Sequence, residues 1–169
     1  MILLITGGVK SGKSSRALEI VQREWQFPVS FIATAEALDE EMRLRIARHR
    51  EERARLSPGG EGFITIEEPV ELDRAIAAAG PRAVVDCIPM WINNLMYYKR
   101  EGDFPSILEN FIRGMGDCIV VSNETGFGNI PFDEATRRYN LLLAEANRQI
   151  AAAADAVELL VAGIPLKVK

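Results

Sequence analysis

The chemistry begins at Gly7-Gly-Val-Lys-Ser-Gly-Lys-Ser14, a glycine, four residues and then Gly-Lys-Ser. In the stretch Gly7, Gly8, Val9, Lys10, Ser11, Gly12, backbone N–H groups converge on an anion because few side chains stand in the way. A helix opening directly afterwards adds its N-terminal amides and dipole. Lys13 then reaches the β- and γ-phosphates of a nucleotide, and the Ser14 hydroxyl ligates Mg²⁺. A plain Gly/Ser turn between a strand and a helix has a similar composition. Here both flanks also fit the phosphate-binding context: an apolar run before the loop and an amphipathic helix after it.

A second concentration of chemistry surrounds His49, the single histidine of the chain. Arg45 stands at i−4 and Arg53 at i+4, with Arg48 and Arg50 beside them. Nearby cations disfavour the imidazolium and keep the ring neutral, as a nitrogen nucleophile requires, and the same arginines suit the phosphates of a second nucleotide. Glu52 at i+3 works against the first effect. Residue chemistry alone leaves His49 as either a nucleophile or a surface side chain. Two acids end apolar runs. Asp86 follows Val84-Val85, on the strand expected beside the phosphate loop, and suits the Mg²⁺ shell. Glu124, after Ile119-Val120-Val121, suits the same role or polarises an acceptor hydroxyl. Each is equally readable as a polar residue leaving a strand into solvent.

The elements that position these groups alternate. Strands are expected at residues 1–5, 28–34, 63–67, 83–87, 118–122 and 156–162, near-continuously apolar as burial on two faces demands. Helices are expected at 15–25, 36–56, 72–79, 88–98 and 104–114, with a longer one capped by Asp133 and running to 155. In the helix from Glu36, residues Leu38, Met42 and Ile46 form a narrow apolar stripe that His49 extends as a buried face. Strand–helix alternation predicts an α/β fold of the P-loop nucleotide hydrolase type. It has a mostly parallel sheet, helices on both faces, and a short C-terminal strand or hairpin. One domain spanning 1–169 is expected at this length.

Composition narrows the partners. Hydrophobic residues make up 48% and charged residues 26%, with a net charge of −4. There is no electrostatic case for nucleic acid or an anionic membrane surface. No apolar stretch has the length of a membrane span, and a core strand beginning at Met1 leaves no expected room for a signal peptide. Cys87 and Cys118 lack metal-ligand spacing and read as buried, reduced thiols of a cytoplasmic protein.

Taken together, the motifs resemble the bifunctional adenosylcobinamide kinase/adenosylcobinamide-phosphate guanylyltransferases of cobalamin biosynthesis. The resemblance runs from Ile5-Thr-Gly-Gly-Val-Lys-Ser-Gly-Lys-Ser14 through Phe31-Ile-Ala-Thr-Ala-Glu36, Asp39-Glu-Glu-Met42 and Arg45-Ile-Ala-Arg-His-Arg50. It continues in Val85-Asp-Cys-Ile88, Val121-Ser-Asn-Glu-Thr-Gly-Phe-Gly128 and Val161-Ala-Gly-Ile-Pro-Leu-Lys167. The resemblance implies phosphorylation of a corrinoid hydroxyl from ATP or GTP. Capping of that phosphate with GMP from GTP follows, through a guanylylated histidine that falls on His49. It implies nucleotide contacts at Gly7 to Ser14, at Thr34, Ala35 and Glu36, at Arg50, Glu51, Glu52 and Arg53, and at Glu67 and Asp86. Mg²⁺ as cofactor and a homotrimer are implied as well. The chain departs from the family pattern at Ala54 and the inserted Ser57-Pro-Gly-Gly-Glu-Gly62, at Pro89, and at Phe132-Asp-Glu134. The rival readings are a P-loop kinase with one activity, which predicts no nucleotide on His49, and a nucleotide-binding switch without turnover.

Overall fold

The computed structural model describes residues 1–56, 62–128 and 130–169. Seven strands form one sheet: β1 (Ile2–Gly7), β2 (Val29–Ala33), β3 (Phe63–Glu67), β4 (Arg82–Asp86), β5 (Asp117–Val121), β6 (Ala156–Val161) and β7 (Ile164–Lys167). Their order is β3-β2-β4-β5-β1-β6-β7, parallel except for the final β6–β7 hairpin. The apolar triplet Leu3-Leu4-Ile5 is buried on both faces, as expected of a strand with neighbours on each side. Those neighbours are β5, with Ile5 opposite Val121, and β6, with Ile5 opposite Glu158. Asp86 therefore does not end the strand beside the phosphate loop. Its strand, β4, is separated from β1 by β5. Sheet order is set by which faces bury together, and local periodicity carries no record of it.

The helices are α1 (Lys13–Glu24), α2 (Glu40–Arg55), α3 (Leu72–Ala78), α4 (Ile88–Tyr97), α5 (Phe104–Gly114) and α6 (Glu134–Ala153). On one face of the sheet, apolar residues of α3, α4, α5 and α6 share a core with Leu4, Ile32, Val85 and Val120. Trp91 is its largest fully buried side chain. It stacks on Phe104 at 5.5 Å and satisfies its indole N–H on the Val70 carbonyl at 2.8 Å. On the other face Ala17, Leu18, Ile20 and Val21 of α1 cover Leu3, Ile5, Phe31, Val84 and Ile119. Each buried Leu, Ile, Val or Phe among them contributes about 2 kcal/mol by leaving water.

Helix α2 stands apart from both cores. It begins at Glu40 rather than at 36, because Asp39 caps it, accepting from the Met42 N–H at 2.7 Å with Glu40 and Glu41 in the first turn. Its stripe does not enter a core either. Met42, Ile46 and His49 are half-buried, Leu38 lies outside the helix and is exposed, and Arg53 is the helix's buried residue. A helix this charged has little apolar area to bury, so its inward face borders a cavity instead.

Candidate functional site

The phosphate loop joins β1 to α1. Gly7 is at φ +148°, and a Cβ there would meet the Leu160 carbonyl oxygen at 2.5 Å, so only glycine fits between β1 and β6. Lys10 and Gly12 also take positive φ, turning the chain so that α1 starts at Lys13. The Lys13 ammonium is held in the loop's curve, donating to the Gly8 carbonyl at 2.5 Å and lying 3.5 Å from Ser11 Oγ. Burial lowers its pKa, opposed by Cys87 and Asp86. It is a buried cation held inside the curve of the loop.

Across the sheet, Asp86 is set by a clamp between the ends of β2 and β4. The Thr34 N–H donates to the Asp86 carbonyl at 3.1 Å. The Thr34 hydroxyl donates to the Cys87 carbonyl at 2.7 Å and accepts from the Cys87 N–H at 2.8 Å. Asn94 Nδ2, buried in α4, donates to the carbonyls of Thr34 and Pro69 at 2.7 and 3.0 Å. Thr34 is fully buried, so its hydroxyl braces the site from beneath, while Ala35 and Glu36 beyond it border the cavity. Burial raises the Asp86 pKa, and a hydrogen bond from Ser14, with His49 and the guanidinium groups of Arg53 and Arg45 nearby, opposes that rise. Although β5 intervenes in the sheet, Asp86 thus meets Ser14 at the start of α1.

Ser14, Asp86 and Cys87 border a cavity of about 570 Å³, whose lining does not include Gly7 to Lys13. Ser14, Asp86 and Cys87 form its floor, Phe31, Ala33 and Glu67 one side, and Arg45, His49, Arg50 and Arg53 the α2 side. The Arg53 guanidinium lies 4.0 Å above the Phe31 ring, and burial lowers its pKa against the pull of Asp86. Arg50 is ion-paired with Glu67, tying α2 to β3. Glu51 and Glu52 are not in the cavity lining; Glu52 faces His49 and the α1 side. Cys87 is half-buried rather than buried, with its thiol pushed up to about 12 by burial, and Cys118 is buried in β5. Glu124 does not line this cavity but stands beside the phosphate loop: its N–H donates to the Gly7 carbonyl at 3.0 Å, and its Oε1 accepts from the Gly126 N–H at 2.7 Å. The inserted residues 57–61 lie outside the described residues.

Several contributors were not singled out from sequence. Phe31 as a platform for Arg53 has no signal in a strand of apolar residues. Arg45, named in the sequence for its effect on His49 and for phosphate but not among the family's nucleotide contacts, stands on the cavity wall. Asn94 as a clamp becomes visible only once β2 and β4 are neighbours.

The donors suit Mg²⁺. Ser14 and Asp86 supply hard oxygens at one point, and among the described residues no group of three or more His, Cys, Asp and Glu is arranged to hold a metal ion. Two protein oxygens, completed by phosphates and water, match an ion that dehydrates reluctantly and binds with its nucleotide.

Residues 3–168 match the family described as cobinamide kinase / cobinamide phosphate guanyltransferase. The bifunctional adenosylcobalamin biosynthesis protein CobP of Pseudomonas aeruginosa is 39% identical, over 98% of this chain and 96% of that protein. CobU of Escherichia coli, a bifunctional adenosylcobalamin biosynthesis protein, is 32% identical over the whole of both chains. Among solved structures, FlaH, a flagellar accessory protein of Methanocaldococcus jannaschii, aligns with a TM-score of 0.55 at 11% identity. The alignment covers 99% of this chain and 77% of that one. A KaiC-like protein of Pyrococcus horikoshii aligns at 0.51 and 19% identity, over 94% and 69%. At these identities the two structures speak for the fold alone.

Proposed function

Because the chain belongs to the cobinamide kinase / cobinamide phosphate guanyltransferase family, we propose that this cavity runs both reactions on adenosylcobinamide, with His49 as the carrier of GMP. The observation that carries this reading is the convergence of Ser14, Asp86, His49, Arg50 and Arg53 on that cavity, with Lys13 held in the adjoining loop, next to Ser14 in sequence. In the first reaction a corrinoid hydroxyl takes the γ-phosphoryl of ATP or GTP. The N–H groups of Gly7 to Gly12 hold the phosphates, and Lys13 offsets charge on the transferring group. Mg²⁺, held by Ser14 and Asp86, supplies charge neutralisation at the β- and γ-phosphates when bound.

In the second reaction an imidazole nitrogen of His49 attacks the α-phosphorus of GTP and pyrophosphate leaves. An oxygen of the corrinoid phosphate then takes the GMP, giving adenosylcobinamide-GDP and restoring the histidine. Arg45, Arg50 and Arg53 suit the added phosphate charge. Ala35, Glu36 and Glu67 line the space for the rest of the nucleotide. A single domain, a cytoplasmic setting and a homotrimer complete the reading. Exposed apolar side chains at the sheet edge, Ile164, Leu166 and Val168, give an association surface. No helix of the described residues is long and apolar enough to cross a membrane.

The test uses GTP, ATP and adenosylcobinamide with wild type and with His49→Ala. The reading expects His49→Ala to phosphorylate the corrinoid and leave it uncapped. Capping by His49→Ala at the wild-type rate would remove the histidine from the mechanism, and light scattering at the mass of a monomer would remove the trimer.

A further inference from the structure

We infer that Glu52 is a positioning residue that fixes the tautomer of His49 and presents its Nε2 to the nucleotide, an inference that rests on the reading of His49 as the carrier of GMP. The argument begins with where each edge of the imidazole points. His49 Nδ1 lies 3.2 Å from Glu52 Oε2, three residues along the same helix. The other carboxylate oxygen, Oε1, faces Arg48 Nε at 4.0 Å. Glu52 borders a smaller groove between α2 and α1 with Ser15, Leu18 and Arg55, and does not line the main cavity. His49 does line it. Nδ1 therefore faces Glu52, and Nε2 is the nitrogen left for the cavity that His49 lines with Asp86, Arg45 and Arg53.

A neutral imidazole carries one N–H, and the acceptor it faces decides which nitrogen holds it. A carboxylate at Nδ1 places the proton there and leaves the lone pair on Nε2. In the transfer, that lone pair forms the bond to the α-phosphorus of GTP. The bond from the α-phosphorus to the α,β-bridging oxygen breaks, and its electron pair leaves with pyrophosphate. The Nδ1 proton stays, so the guanylylated ring is cationic, and Glu52 faces that charge. On discharge an oxygen of the corrinoid phosphate bonds to the same phosphorus, and the N–P electron pair returns to Nε2. Glu52 thus acts twice, on the tautomer before attack and on the charge after it. As an i,i+3 neighbour on a solvated helix, with its side chain 46% exposed, it contributes little to folding.

Since His49 is the only histidine, labelling histidine with ¹⁵N gives one imidazole to observe in the full-length protein. Free wild type is expected to show the Nδ1–H tautomer, and incubation with GTP and Mg²⁺ without acceptor is expected to give an Nε2–phosphorus linkage. Glu52→Ala should slow adduct formation by about tenfold or more and raise the share of the Nε2–H tautomer. Glu52→Gln, whose amide oxygen still accepts from Nδ1–H, should keep the tautomer and slow the reaction less. A thermal melt confirms that both variants are folded. A wild-type Nε2–H tautomer, or Glu52→Ala forming the same linkage at the wild-type rate, overturns the role of Glu52 and leaves His49 in place. A wild type whose adduct is absent, or maps away from His49, overturns both.

Discussion

The phosphate loop, which leads into Ser14 on the cavity, and α2, which lines the cavity with Arg45, His49, Arg50 and Arg53, are built on opposite principles. The loop hangs between two core elements: β1, buried on both faces, and α1, which commits Ala17, Leu18, Ile20 and Val21 to the core. Helix α2 has sixteen residues, of which Arg53 alone is buried. It is held by its Asp39 cap, by Arg53 over Phe31, and by the exposed Arg50–Glu67 pair, contacts worth about 1 kcal/mol each. The difference separates the two chemistries mechanically. Groups proposed for phosphoryl transfer ride on a rigid core, whereas the histidine proposed to carry GMP rides on a helix that the rest of the fold scarcely needs.

Breaking the comparison starts with stability. Trp91→Ala removes the largest buried ring of the core, so unfolding in denaturant should show a loss of about 3–5 kcal/mol. Leu44→Ala, on the exposed side of α2, should stay within about 0.5 kcal/mol. Comparable losses at both positions would mean that α2 belongs to the core. On activity, Lys13→Ala should lower corrinoid phosphorylation by about 10²–10³ in kcat while the protein melts normally, because the ammonium touches only its own loop. Near-normal turnover would show that the loop does not hold the phosphates.

Smaller effects sharpen the account. Asp86→Asn keeps the shape and removes the charge beside Ser14, so the Mg²⁺ concentration for half-maximal activity should rise by about tenfold. An unchanged Mg²⁺ titration would take the metal away from Asp86. Arg53→Ala removes the guanidinium above Phe31 and should raise the KM for GTP by a few-fold without removing the nucleophile. An equal effect on ATP-driven phosphorylation would place Arg53 in service of both reactions.

Legibility in the sequence follows the same division. The phosphate loop, the inner strands and the Asp133-capped helix were readable, because each is written in local pattern: glycine spacing, two-sided burial, or a cap before an apolar period. Two-sided burial fails at β3, an edge strand with Ile64, Thr65 and Glu67 exposed. The C-terminal hairpin was readable from Gly163-Ile-Pro165. Helix α2 was readable as a helix and misjudged in its environment. A stripe of Met42, Ile46 and His49 has the same spacing whether it meets a core or a cavity. Its start was placed too early because Glu36 favours helices, although Asp39 before Glu40-Glu41 is a cap signal in its own right. The route from Asp86 to Ser14 depends on strand order, and the clamp of Thr34, Cys87 and Asn94 joins residues 53 and 60 positions apart. Contacts of that range leave no periodic trace.

The central claim is that one cavity serves two chemistries and that only one of them needs His49. Intact-protein mass after incubation with GTP and Mg²⁺, without acceptor, tests it most directly. Wild type should gain the mass of one GMP, in an acid-labile, alkali-stable linkage. His49→Ala should gain nothing, while still phosphorylating adenosylcobinamide. An adduct that persists in His49→Ala, or a wild type that caps the corrinoid phosphate without ever gaining mass, would contradict the account.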